Sequence, residues 1–154
     1  FCVIYLSLFS FIIWFYFSST ENTQIVKLIF LILICILTDI GGFIFGKLIG
    51  GKKLTKISPN KTYSGMIGSF IVSLLFGYLF YYYKSNLLIF DVNIFIFIFI
   101  ISLISQSGDL MISFVKRKAK LKDTGSTLPG HGGVLDRIDG ILLAIPIGIF
   151  LTSV

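Results

Sequence analysis

Charge is scarce in this sequence. Only 13% of its 154 residues are charged, while 56% are hydrophobic; a soluble domain carries about one quarter charged residues. That shortage, with long apolar runs, excludes an ordinary soluble domain and places the chain among membrane proteins. Acid is scarcer than base: seven Asp and Glu stand against thirteen Lys and Arg, a net charge of +6. There is one histidine, His131. The two cysteines, Cys2 and Cys35, lie inside apolar runs with no CxxC partner and no histidine at metal-ligand spacing, so they read as small core or lipid-facing residues. Basicity in bulk is compatible with nucleic acid. Here, however, the cations cluster between apolar runs, as the positive-inside rule describes, and no nucleic-acid partner is expected.

The apolar runs are Phe1–Phe17, Ile25–Gly46, Ser64–Tyr83, Leu87–Phe114 and Gly140–Val154. A helix rises about 1.5 Å per residue, so even the first run is just long enough to span. It lacks the basic flank and small-residue cleavage site of a signal peptide and reads as a membrane segment cut short. The expected fold is therefore all-α: a polytopic integral membrane protein of about five transmembrane helices, forming one unit over 1–154. Phe95–Phe99 alternates Phe and Ile as a strand would, but the run around it is too long and too apolar on both phases, so helix is expected. Ser64, Gly65, Gly68, Ser69, Ser73 and Gly77 would let the third helix pack closely. Tyr81, Tyr82, Tyr83 and Lys84 look like an interfacial anchor.

Five spans put the segments Lys47–Tyr63 and Ser113–Asp139 on one side. These are the two basic segments, so that side is expected to face the cytoplasm, in a bacterial inner or plasma membrane or an organelle membrane.

The polar chemistry concentrates in Ser113–Asp139, which holds His131 and three of the seven acids, Asp123, Asp136 and Asp139. Asp39 and Asp109 lie inside apolar runs, near the ends assigned to the cytoplasm. A carboxylate at membrane depth costs several kcal/mol and usually faces a cavity, a metal or a counter-ion; a plain pairing with a loop lysine is the simpler alternative. Asp136 and Asp139, three residues apart, share a face if a helix starts there. With Asp109 they offer oxygen ligands for Mg²⁺, an ion that favours carboxylates plus substrate phosphates. Lys116, Arg117 and Lys122 suit phosphates, although topology alone asks for lysines here, and for Lys118 and Lys120 that reading is preferred. Ser58, Asn60, Lys61 and Thr62 flank Pro59 as a second polar group, otherwise a turn and helix cap. Pro129-Gly130-His131-Gly132-Gly133 frees backbone N–H groups to cradle an anion but has neither P-loop nor dinucleotide spacing.

The string Ser113, Lys116-Arg117, Lys122-Asp123, Pro129, His131-Gly132-Gly133, Asp136-Arg137-Ile138-Asp139 resembles the signature of the phosphatidate cytidylyltransferases, or CDP-diacylglycerol synthases. Thr38-Asp39 with its glycines, and Ser58-Pro59-Asn60-Lys61-Thr62 with Gly65, extend the resemblance to roughly Thr38–Gly140. Tyr63-Ser64-Gly65 stands where the family usually has Trp-Glu-Gly. The family also carries more N-terminal membrane helices than this chain does, which leaves two readings open, a fragment and a short variant. The resemblance implies a Mg²⁺-dependent nucleotidyltransferase of phospholipid biosynthesis that joins CTP and phosphatidate into CDP-diacylglycerol and pyrophosphate. By that resemblance Asp109 and Asp136 hold the metal, and Asp109, Asp136, Asp139, Lys116 and Arg117 are catalytic. Ser58, Asn60, Lys61, Ser113, Lys122, Asp123, His131, Gly132, Gly133, Arg137 and Asp39 bind substrate. A second, monovalent cation and a homodimer are left open.

Three other classes compete. A transporter or channel would place carboxylates near the midplane and show inverted repeats; these acids sit near one face and no repeat is visible. A polyprenol kinase shares the basic loops and acids but not the signature string. A membrane anchor with an electrostatic lipid-binding loop explains the lysines and leaves the aspartates and glycines without a role.

Overall fold

The computed structural model describes residues 2–18, 22–55, 58, 61–88, 90, 92–120 and 135–153, of which 2–5, 8, 15, 17, 135–138 and 153 are described by their backbone alone. Among them are five α-helices: α1 (Cys2–Ser18), α2 (Asn22–Leu48), α3 (Tyr63–Tyr83), α4 (Ile94–Lys118) and α5 (Leu135–Ser153). Each of the five expected runs yields a helix. Three of them, α2, α3 and α4, are long and apolar enough to cross a membrane; α1 has 17 residues, and the apolar part of α5 covers Asp139–Thr152. The all-helical architecture is that of an integral membrane protein.

The helix ends depart from the apolar runs where capping chemistry competes with hydropathy. α4 begins at Ile94 and not at Leu87, because the Asn93 side chain caps it by accepting the Phe95 N–H at 3.0 Å. It also runs past Phe114 to Lys118, so that Lys116, Arg117 and Lys118 occupy its last turn. Cations there complement the negative end of the helix dipole. The Phe/Ile alternation is helical throughout, since Phe97, Ile98, Ile101, Ser102, Ser105 and Gly108 are buried at helical spacing. α3 is capped by Thr62, whose hydroxyl accepts the Gly65 N–H at 3.1 Å. Before it, Lys53 and Thr62 form an antiparallel bridge: Leu54 N–H donates to the Lys61 carbonyl at 2.7 Å and Tyr63 N–H to the Lys52 carbonyl at 3.2 Å. Gly50 and Gly51 begin the reversal with φ of 64° and 106°, values that L side chains rarely adopt.

Two kinds of packing divide the bundle along its length. One end is aromatic: fully buried Phe30 stacks on Phe80 and Phe97, with ring centroids 5.8 and 6.2 Å away, and Phe90 closes the cluster. The other end is built from small residues. The buried residues of α3 are Gly65, Gly68, Ser69, Ser73 and Gly77, without one large side chain. Gly65, Gly68 and Ser69 meet Gly41, Gly42 and Gly46 of α2, and the α2–α3 contact is the most extensive between helices in the structure. Lipid is as apolar as the side chains, so van der Waals fit between backbones, and not removal from water, holds such helices together. α4 and α5 approach in the same way where Gly108 faces Asp139, Gly140 and Leu143, and Gly140 faces Ser105.

A methyl group at Gly41 would lie 2.8 Å from the Gly68 carbonyl oxygen and 2.9 Å from the Val72 Cβ; at Gly77 the nearest atom is the flexible Ile98 Cδ1, 3.3 Å away. Gly41→Ala is expected to destabilise the bundle by about 1–3 kcal/mol through overpacking, and Gly77→Ala by clearly less. Thermal unfolding of both variants in one detergent checks the ranking, and equal loss would contradict the close contact at Gly41.

Candidate active site

Close packing of small residues leaves an opening between the helix ends. A cleft of about 280 Å³ is lined by Thr38, Asp39, Gly42 and Phe43 of α2, Leu54, Ser58, Lys61 and Thr62 of the segment before α3, Gly65, Met66 and Ser69 of α3, and Gln106 and Asp109 of α4. Glycine and serine form much of its wall because larger side chains would fill the space between α2 and α3.

Two ion pairs hold the polar end together. The Lys61 ammonium pairs with Asp109, and Lys116 lies 3.8 Å from Asp139. The first ties the segment before α3 to α4, and the second ties the end of α4 to the start of α5. All four side chains are between 12% and 26% exposed, so each pair is partly shielded from solvent and each charge needs its partner more than a surface charge would. Asp109 is central. Its charge acts on Asp39 on one side and on Asp139 on the other, and the Ser113 hydroxyl donates to its Oδ1 at 3.4 Å. Asp139 is buried, and its Oδ1 accepts the Gly140 N–H at 2.9 Å. The Gly108–Gly140 approach of α4 to α5 is what sets Asp109 next to Asp139.

The structure thus brings together Asp39, Ser58, Lys61 and Asp109 in the cleft, with Ser113, Lys116 and Asp139 gathered beside Asp109. Arg117 lies exposed in the last turn of α4 and does not line the cleft. Asp136 and Arg137 fall in the first turn of α5, as the expected helix start requires, with Asp136 three residues before Asp139; their side chains lie outside the description. Asn60, Lys122, Asp123, His131, Gly132 and Gly133 lie outside the described residues. Among the described residues no three His, Cys, Asp or Glu side chains converge as a ready metal cage; the described carboxylates meet in pairs around Asp109. The lysine pairing of Asp109 weighed above is present, and its partner comes from Lys47–Tyr63, the segment farther away in sequence.

Three lining residues, Thr38, Ser69 and Gln106, were not among the expected site residues. Thr38 is buried; its hydroxyl donates to the Ile34 carbonyl at 2.8 Å and lies 2.9 Å from the Ser102 Oγ, which leaves Ser102 free to donate to it. Ser69 is buried and donates to the Gly65 carbonyl at 3.0 Å. Gln106 sits one helical turn before Asp109. The usable signal was a polar side chain in an apolar run at i−3 from an acid, a spacing that shares a helix face.

Replacing Thr38 by Val keeps the shape and removes the buried acceptor. The Ser102 hydroxyl then loses its partner, at a cost of about 1–3 kcal/mol. Thr38→Val is expected to lower thermal stability, and Thr38→Val with Ser102→Ala to recover much of the loss; additive losses in a double-mutant cycle would contradict the pairing.

The sequence matches the model of the Cytidylyltransferase family over residues 1–154. It is 39% identical over 136 residues to the phosphatidate cytidylyltransferase of Staphylococcus haemolyticus (strain JCSC1435), covering 86% of this chain and 51% of that protein. It is 44% identical over 143 residues to the phosphatidate cytidylyltransferase of Rickettsia prowazekii (strain Madrid E), covering 85% and 60%. For the Rickettsia typhi (strain ATCC VR-144 / Wilmington) protein of the same name the identity is 41% over 140 residues, with the same coverage. The chain spans between about half and three fifths of the length of these relatives.

Proposed function

The chain belongs to the Cytidylyltransferase family, and from that premise we propose that it carries the catalytic cleft of a phosphatidate cytidylyltransferase, joining CTP and phosphatidate into CDP-diacylglycerol and pyrophosphate in phospholipid biosynthesis. The observation that supports this most is the convergence of Asp39, Ser58, Lys61 and Asp109, from three separated segments, on one cleft at the polar end of the bundle. The basic segments at that end are assigned to the cytoplasm, where CTP is available.

In the reaction an oxygen of the phosphatidate phosphate attacks the α-phosphorus of CTP. The bond between the α-phosphorus and the bridging oxygen breaks, and pyrophosphate leaves with the electron pair. Such a transfer asks the protein mainly for positioning and charge neutralisation. Lys61 is held at the cleft by Asp109, so its ammonium meets a phosphate oxygen without a large loss of side-chain freedom. Lys116 is held in the same way by Asp139 at the junction of α4 and α5. Ser58 and Thr62 add hydroxyls at the cleft wall. The donor set suits Mg²⁺: two carboxylates, Asp109 and Asp139, are drawn together beside two lysines, and Asp136 stands one helical turn from Asp139. Asp109 and Asp136 would hold the ion, which supplies charge neutralisation at the phosphates.

The test is formation of CDP-diacylglycerol from labelled CTP and phosphatidate in detergent micelles, with and without Mg²⁺. Product is expected only with Mg²⁺, and Asp136→Asn is expected to lower turnover by at least about a hundredfold. Full activity after chelation would remove the metal from the reading. No product from folded, monodisperse protein would remove the reaction.

A further inference from the structure

One residue lining the cleft carries a polar group that none of the described residues satisfies. The Gln106 side-chain Nε2 is buried and has no hydrogen-bond partner. Buried donors in folded proteins are nearly always paired, and an unpaired one costs about 1–3 kcal/mol. The neighbourhood does not lack acceptors for want of polar residues. Thr38 and Ser69 stand in the same wall, but their hydroxyls face backbone carbonyls of their own helices and neither accepts from this amide. Asp109, one turn along the same face, is occupied by Lys61 and Ser113. The amide thus lines the cleft with a buried donor that none of the described acceptors takes.

Resting on the function proposed above, we propose that Gln106 is a substrate-binding residue: its side-chain amide donates a hydrogen bond to a phosphate oxygen of a substrate seated in the cleft. A phosphate oxygen is the fitting acceptor because Lys61 makes this part of the cleft favourable to anions, and both substrates of the proposed reaction carry phosphate. The oxygen belongs either to the nucleotide or to the lipid headgroup. An unsatisfied donor also explains why an amide is placed on a helix face where an apolar side chain would pack at lower cost. The protein without substrate gives up stability, and the bound phosphate restores the missing bond. Binding energy held in reserve in this way separates a ligand that presents an acceptor from one that does not.

Gln106→Leu separates this role from a structural one. Leucine has similar length and removes the unpaired donor, so the substrate-free variant is expected to unfold at a temperature no lower than the wild type. Steady-state assays vary CTP at saturating phosphatidate, then phosphatidate at saturating CTP. A rise of about tenfold in one Michaelis constant is expected, and the substrate affected identifies whose phosphate is bound. Gln106→Glu, which places a negative charge at the same spot, is expected to lose more than Gln106→Leu against that same substrate. Wild-type kcat and both Michaelis constants in Gln106→Leu would overturn the inference alone, as would an equal loss against both substrates with a lowered unfolding temperature. Absence of product from the wild type would overturn it together with the function on which it rests.

Discussion

The ion pair of Lys61 with Asp109 is the contact on which the arrangement of the polar end depends. Asp109 sits in a helix that is otherwise apolar enough to cross a membrane, and a carboxylate there needs a counter-charge. α2 and α3 offer it none near Asp109, so the cation comes from the segment between them. That segment is folded back by its antiparallel bridge and by Gly50 and Gly51, which brings Lys61 over the helix bundle. One electrostatic requirement thereby fixes three things: where the basic segment rests, which side chains face the cleft, and the position of an ammonium suited to phosphate.

Close helix approach is the second constraint, and it serves the first. Glycine and serine on the facing sides of α2 and α3 bring two backbones together and leave an opening at one end. The Gly108–Gly140 contact brings α5 against α4 and sets Asp139 beside Asp109. The repulsion between these two carboxylates is offset by Lys61 and Lys116. Two adjacent acids, each flanked by its own base, balance one another without a ligand, yet each can be recruited by one. At the other end, the Phe30 cluster supplies packing dominated by aromatic rings. The division of the bundle into an aromatic end and a small-residue end therefore matches a division between scaffold and site.

Much of this was legible in the sequence, for identifiable reasons. Five helices followed from run length and hydropathy, because in lipid a backbone has few ways to satisfy itself. Close packing of α3 followed from its small residues, and all but one of the six singled out for it form its buried face. Asp39 and Asp109 stood out because charge in an apolar run is costly, and Lys61 because it belongs to the polar group around Pro59. The start of α4 was misplaced by seven residues, since hydropathy does not register the Asn93 cap, and its extension to Lys118 was missed because three cations look like a loop until the helix dipole is considered. The pairing of Lys61 with Asp109 spans 48 positions of sequence and depends on the fold-back before α3, so no local pattern could reveal it. Gln106 was not taken as a site residue because an uncharged amide perturbs hydropathy little; its meaning appears only when its Nε2 is seen to be buried without a partner among the described residues.

The most direct test of this account exchanges the central pair. Lys61→Asp combined with Asp109→Lys keeps an ion pair between the same segments while placing each charge on the wrong side of the cleft. If Lys61 faces a phosphate and Asp109 faces a cation, the exchanged protein should be as thermally stable as the wild type to within a few degrees (about 1 kcal/mol) and should form no CDP-diacylglycerol. Turnover restored to the wild-type level by the exchange would contradict the account, because it would mean that the pair only fastens the fold and that the chemistry is carried elsewhere.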